Sequence, residues 1–267
     1  MNATRTLAIA VRQFYLLRGS PIRILPLFIW VAIDILLWGF ITKYLNSMAA
    51  QGTNFVPILL GAVLLWDFFS RVMHGIATSF FEDVWSRNFL NMFASPLKIS
   101  EYLGGLVVTS IITSMVGLLV MLALATIGFG LPIFAYGTAA IPFLLVLFLF
   151  GVALGIAGTA LVLRFGPAAE WFVWPIPAMI SPFAGVFYPI STLPAWMQWL
   201  AYALPPSYVF EALRGIVEGK PLNGAYLAIS SALAVFYVFA CGWYFRSVYR
   251  RAVRTGLLAR YSAESAS

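Results

Sequence analysis

The chain alternates long apolar runs with short polar interruptions, and the runs are long enough to cross a bilayer. In order they predict six spans: Ile24 to Tyr44, Phe55 to Phe80, Tyr102 to Phe129, Thr138 to Leu163, Ala169 to Tyr188 and Ala225 to Phe245. A run of ~20 apolar residues reads as a transmembrane helix, because hydrocarbon offers backbone groups no partner outside the helix itself. Ahead of the first span, Thr4 to Leu17 has helical periodicity, with Leu7, Ala10, Val11, Phe14 and Leu17 on one face and Arg5 and Arg12 opposite. That pattern predicts an amphipathic helix lying in the membrane interface, within residues 1–23. Ser47 to Ala49 resembles a cleavage site, but the run before it is long enough to span and is read as retained.

Two interruptions stand out. Residues 81–101 hold three of the nine acidic residues, Glu82, Asp83 and Glu101, with Arg87 and Lys98. Within this stretch Trp85, Phe89, Met92 and Phe93 make one helical stripe, with Arg87 and Asn91 opposite. Such a stripe either anchors in a partner's groove or lies on the bilayer surface. The second interruption, residues 189–222, is too apolar for a plain loop and too broken by proline to span. Pro194 begins a short helix that Pro205 and Pro206 end, and Ser207 caps another running to about Gly219. The pair predicts a re-entrant exterior hairpin, with Trp196, Trp199 and Tyr202 at headgroup level. Glu211, Arg214 and Glu218 share one face of the second helix, as an ion network would require.

The expected fold is therefore all-α, a polytopic membrane protein with six transmembrane helices in a single domain over residues 1–267. Composition agrees: the chain is 62% hydrophobic and only 9% charged, against about 25% charged in soluble domains. The net charge of +7 reports topology rather than nucleic-acid affinity. Arginines and lysines collect before the first span, after the second, after the fourth and in the tail 246–267, whereas only Lys43, Arg214 and Lys220 appear on the other side. The positive-inside rule then places both termini and residues 81–101 in the cytoplasm.

Charged groups inside the spans are the candidate chemistry. Asp34 lies midway along the first span, where an aspartate costs about 2.5–3.5 kcal/mol unless it meets a partner or a wet cavity. Asp67 and Arg71 are four apart in the second, with His74 three further on. The pair either satisfies itself or contacts a substrate, and an Asp34–Arg71 contact between the two spans is a third arrangement. Gly151 and Gly155 are spaced for close helix packing, within the chain or between subunits. Pro175, Pro177 and Pro182 would bend the fifth span, as plain packing or as a gate. No phosphate-binding loop, nucleophile elbow or zinc motif is present, and the single His74 and single Cys241 make no metal site. No catalytic residue is assigned.

The layout resembles the membrane subunit of type-2 ABC exporters. One stretch that carries the likeness is Phe81-Glu82 through Ser95-Pro96-Leu97, with Glu101 and Gly104-Gly105 beyond. The other is Gly185 to Tyr188-Pro189, Leu193-Pro194 with Trp196, Leu204-Pro205, and Glu211 to Arg214. The six-span order and the N-terminal helix agree, so the resemblance covers essentially the whole chain. It implies a bacterial inner-membrane permease that pairs with a second copy and carries two separate ATPase subunits. ATP and magnesium would be held by those partners and no cofactor by this chain. Residues Glu82 to Pro96 would include the coupling helix, with Glu82 the polar handle. The implied activity is export of a hydrophobic or amphiphilic molecule, such as a drug, lipid or glycolipid. A polysaccharide export permease of the same family is the alternative within it. An ion-coupled secondary transporter using Asp34, Asp67 and Arg71 is the rival outside it, and a membrane-embedded enzyme would need convergent groups that the sequence does not arrange.

Overall fold

The structure, a computed structural model, describes residues 2–19, 21–48, 55–86, 92, 95–132 and 136–255, and among them there is no strand. The helices are α1 (Ala3–Arg18), α2 (Pro21–Met48), α3 (Gly61–Trp85), α4 (Ile99–Phe129), α5 (Ala140–Phe165), α6 (Glu170–Val173), α7 (Ile176–Ile180), α8 (Ala195–Tyr202), α9 (Pro205–Val217) and α10 (Gly224–Arg254). A π-helical turn, Val56–Leu60, with Pro57 near its start, leads into α3. Five segments are long and apolar enough to cross a membrane: Ile29–Met48, Val56–Trp85, Ile99–Phe129, Ala140–Phe165 and Gly224–Arg254.

The most buried of these is α3, which packs against both α4 and α5; α5 in turn packs against α10. The α3–α5 contact is close because α5 presents glycine to it. A Cβ on Gly151 would lie 3.0 Å from the Phe69 carbonyl oxygen, and one on Gly155 would lie 3.0 Å from that of Met73. This small-residue motif therefore serves packing within the chain, helped by the Phe69 and Phe150 rings stacked at 5.4 Å. Outward faces are apolar: Ile33, Leu36, Leu37 and Phe40 of α2 and Phe236, Phe239 and Trp243 of α10 are all exposed, as lipid-facing positions should be.

Three expectations change. The fifth predicted span is not one helix. It breaks into a 3-10 turn at Pro167–Ala169, the short α6 and α7, and a run of turns from Ser181 to Gly185. Pro175, Pro177 and Pro182 each lack the N–H that continuous α-helical pairing needs, and Gly185 adopts φ +62°. In α1, Arg5 and Arg12 turn to carboxylates of the bundle, Arg12 to Asp83 and Arg5 to Glu101. The buried face is Ile9, Ala10 and Gln13, while Leu7, at 59% exposure, and Val11 and Phe14 point outward. Ser207 is not a cap, since α9 begins at Pro205 and the Ser207 hydroxyl donates to the Phe183 carbonyl at 3.3 Å. The two short helices of the 189–222 stretch are otherwise present as α8 and α9, the first preceded by Pro194.

A Gly151→Leu change should lower the thermal unfolding midpoint in detergent, reflecting about 1–3 kcal/mol of overpacking. Gly242→Leu on α10, where nothing lies within 4 Å of the added carbon, should leave the midpoint unchanged.

Candidate functional site

Along α3, Asp67, Ser70, Arg71, His74, Thr78, Ser79 and Glu82 recur at intervals of three, one and four, so they share one face over four turns. Opposite them α4 presents Thr109, Ser110, Thr113 and Ser114. Between the two helices lies a cavity of about 580 Å³, lined elsewhere by Gln13, Leu16 and Leu17 of α1, Trp30 of α2 and Trp174. That volume is in the ordinary range for small-molecule sites. A polar cavity in an otherwise apolar bundle is informative, because membrane interiors tolerate such groups only where they meet one another or water.

Asp67 and Arg71 pair across one turn, through Nε and through Nη2 to Oδ1 at 3.2 Å. Asp34 is half-buried on α2, and the Arg71 charge acts on it as well as on Asp67, while the two carboxylates act on each other. The three charges thus form one electrostatic group. His74 Nε2 lies 3.2 Å from the Trp174 carbonyl oxygen, with the rings 4.9 Å apart, so its role is to seat the α6–α7 segment on α3. No group of three or more metal-binding side chains occurs among the described residues.

Where α3 ends, α1 ties both ends of the next connection together. Arg12 donates to both oxygens of Asp83, at 3.1 and 2.5 Å, and the Tyr102 hydroxyl donates to the same carboxylate at 2.8 Å. Burial pulls the Arg12 guanidinium down in pKa, but the adjoining Asp83 carboxylate leaves it above the ordinary arginine value. Beyond the connection, Glu101 accepts from the backbone N–H of Asn2 at 2.8 Å and of Lys98 at 3.0 Å, the latter closing a capping box at the start of α4. Arg5 donates to the Pro96 carbonyl and stands 3.6 Å from Glu101. The α1–α4 approach depends on Gly105, where a Cβ would come within 2.5 Å of Ile9 Cβ.

At the opposite end of the bundle, Glu211 accepts from the Ile190 N–H at 2.7 Å, and Arg214 donates to the Gly185 carbonyl at 2.8 Å. Glu211 and Arg214 are themselves 3.1 Å apart. Together they fasten the turns after α7 onto α9. Glu218 does not join them; Lys220 holds it at 2.6 Å, keeping the Glu218 carboxyl below its usual pKa. The Tyr188 hydroxyl donates to the Pro182 carbonyl at 2.7 Å, Pro189 precedes a 3-10 turn, and Trp196 is exposed on α8.

Of the residues expected at the 81–101 connection, Glu82 lines the cavity and Trp85 ends α3 with 52% of its surface exposed. Met92 packs half-buried against the core, and Pro96 is the Arg5 acceptor. Arg87, Phe89 and Phe93 lie outside the described residues. The structure therefore gathers Asp34, Asp67 and Arg71 into one group and separates them from the Tyr188, Pro189, Trp196, Glu211 and Arg214 set. Sequence reasoning missed Arg12, Asp83, Tyr102 and the hydroxyl face of α4.

The family model for the ABC-2 type transporter matches residues 5–217, from the first turns of α1 to the end of α9. The chain belongs to the ABC-2 type transporter family. Comparison with curated proteins gave no match. As an ABC-2 permease it is an integral membrane protein of the transport, not the catalytic, kind, and permeases of this family pair with ABC ATPase subunits. In the permease, the clamp of α1 on Asp83 and Glu101 frames the connection between the second and third long helices.

Replacing Arg12 with Met leaves Asp83, only 1% exposed, without its cation. The expected loss is about 3 kcal/mol, because an uncompensated buried carboxylate is far costlier than a missing pair. Arg12→Met/Asp83→Asn, neutral and still able to accept from Tyr102, should recover most of it. Thermal unfolding, with amide exchange over residues 3–18, reads both.

Proposed function

We propose that this chain is the transmembrane subunit of an ATP-driven exporter that moves a hydrophobic or amphiphilic substrate out of the cytoplasm or the inner leaflet. In this reading two copies pair in a bacterial inner membrane with both termini in the cytoplasm. Separate ABC ATPase subunits dock on the connection between α3 and α4 and hold the ATP and Mg²⁺, leaving no cofactor to this chain. Trp85, Arg87, Phe89, Met92, Phe93 and Pro96 form the docking surface, with Glu82 at its membrane edge. Asp34, Asp67 and Arg71 line the route. The hairpin of α8 and α9 dips into the outer leaflet, with Trp196 at headgroup level and Tyr188, Pro189, Glu211 and Arg214 holding its base.

The observation that carries this reading is the continuity of α3. One face of this helix is polar from Asp67, beside Arg71, to Glu82, and the helix ends directly at the proposed docking connection. A helix is stiff over this length, so displacement at its end is transmitted to the cavity wall. The same end is tied through Asp83 to α1, which supplies another wall through Gln13, Leu16 and Leu17. Docking force would therefore act on two sides of the cavity at once.

The test is a Trp85→Ala/Phe89→Ala variant co-expressed with the partner ATPase. Co-purification of the ATPase in mild detergent should fall about tenfold, the order expected from losing two aromatic anchors. Recovery of the membrane-inserted permease should be unchanged. Full retention of the ATPase, or transport in vesicles that proceeds without ATP under an imposed ion gradient, would contradict the proposal.

A further inference from the structure

The chemistry of the cavity between α3 and α4 is lopsided, and the imbalance identifies a headgroup. A hydroxyl has one hydrogen to give and two lone pairs to offer. Four of the cavity's hydroxyls have already given theirs to the backbone: Ser70 to the Trp66 carbonyl at 2.9 Å, Thr109 to Gly105 at 3.0 Å, Ser110 to Val72 at 2.8 Å and Thr113 to Thr109 at 3.0 Å. Towards a ligand they present acceptors only.

Charge leans the same way. Arg71 is the single arginine or lysine among the described lining residues, where the carboxylates are two, Asp67 and Glu82. The side chains that line the cavity thus carry more carboxylate than cationic charge, an excess that a cationic ligand offsets. Two indole rings, Trp30 and Trp174, border the cavity and are exposed, offering the π-faces on which ammonium groups rest.

Two polar side-chain atoms of lining residues have no hydrogen-bond partner. Ser114 Oγ belongs to a residue only 1% exposed, and Gln13 Nε2 to one 3% exposed, both buried and both among the lining. Leaving such groups unmet costs about 1–3 kcal/mol each, so their presence marks a place where something else binds. The Gln13 amide suits a carbonyl or ether oxygen on the ligand, next to the apolar Leu16 and Leu17 that suit its tail.

We infer that the cavity between α3 and α4 selects an amphiphile whose headgroup is a hydrogen-bond-donating ammonium. Carboxylate and phosphate headgroups meet acceptors and carboxylates there and are disfavoured. A neutral sugar head satisfies the hydroxyls but does not offset the excess of carboxylates in the lining. This deepens the proposed function and rests on its reading of the cavity as the substrate route.

The full-length permease in phosphatidylcholine nanodiscs tests it with three dansyl probes that share one dodecyl tail and differ in head: primary ammonium, glucoside and carboxylate. Binding to empty nanodiscs is subtracted. The ammonium probe should bind about tenfold more tightly than either of the others, the scale of one desolvated cationic contact. Asp67→Asn should remove that advantage, bringing ammonium binding to the level of the glucoside. Glu82→Gln, at the other carboxylate of the lining, should do the same and serves where Asp67→Asn does not insert. Glucoside or carboxylate binding that equals the ammonium probe overturns the inference, as does ammonium binding indifferent to both substitutions. Neither result touches the exporter reading, which stands or falls on the separate ATPase co-purification and ATP-dependent transport measurements.

Discussion

Asp83 is a carboxylate buried at the end of a membrane helix, and the arrangement of that end of the permease follows from the need to match it. A buried charge without a partner is penalised by several kcal/mol, so the fold must bring a cation to it. That cation, Arg12, is 71 residues away in the chain and arrives on α1. Tyr102, from the start of α4, supplies the remaining donor. One carboxylate thus joins three helices, of which α4 also packs directly against both α1 and α3. A net stabilisation need not come from the ion pair itself. Its effect is geometric: other placements of α1 strand a charge, which makes this one specific.

The consequence reaches into the cavity because α3 has two unlike faces. Towards α5 it is pressed backbone to backbone by Gly151 and Gly155, which fixes its position in the bundle. Towards α4 and α1 it carries the polar stripe from Asp67 to Glu82, about 22 Å along the helix axis at 1.5 Å per residue. The first face makes α3 the rigid reference of the structure. The second makes it a wall of the 580 Å³ cavity. Apolar packing and polar contacts therefore divide one helix lengthwise.

Much of this was legible in the sequence. Apolar runs located all five long helices, and the i,i+4 spacing of Asp67 and Arg71 announced their pairing. The hydroxyl stripe was harder, because serine and threonine are routine in membrane helices, where they bond back to their own carbonyls. Periodicity would have found it on α4, since Thr109 and Thr113, and Ser110 and Ser114, lie four residues apart. The α1 clamp was not legible. Arginines opposite an apolar face look water-facing unless the distant carboxylate is known, and long-range pairing leaves no local pattern. The fifth span failed for another reason: hydropathy sums over a window and does not see that Pro175, Pro177 and Pro182 remove the donors a continuous helix requires.

The polar stripe also stops at a definite level. N-terminal to Asp67, α3 runs Gly61-Ala-Val-Leu-Leu-Trp66, where the indole N–H of Trp66 is the one polar side-chain group. The Trp66 ring lies 4.8 Å from Phe69 and 6.1 Å from Phe210 of α9. Trp38 stacks on Phe187 at 4.6 Å, joining α2 to the turns that Glu211 and Arg214 fasten to α9. Such ring contacts contribute about 0.5–1.5 kcal/mol each beyond burial, so this end is joined through aromatic pairs where the other is joined through the Asp83 carboxylate. Because α9 packs against both α10 and α5, the proline-broken segment is tied by Glu211 and Arg214 to a helix already seated in the bundle, and it keeps its place without being a continuous helix itself.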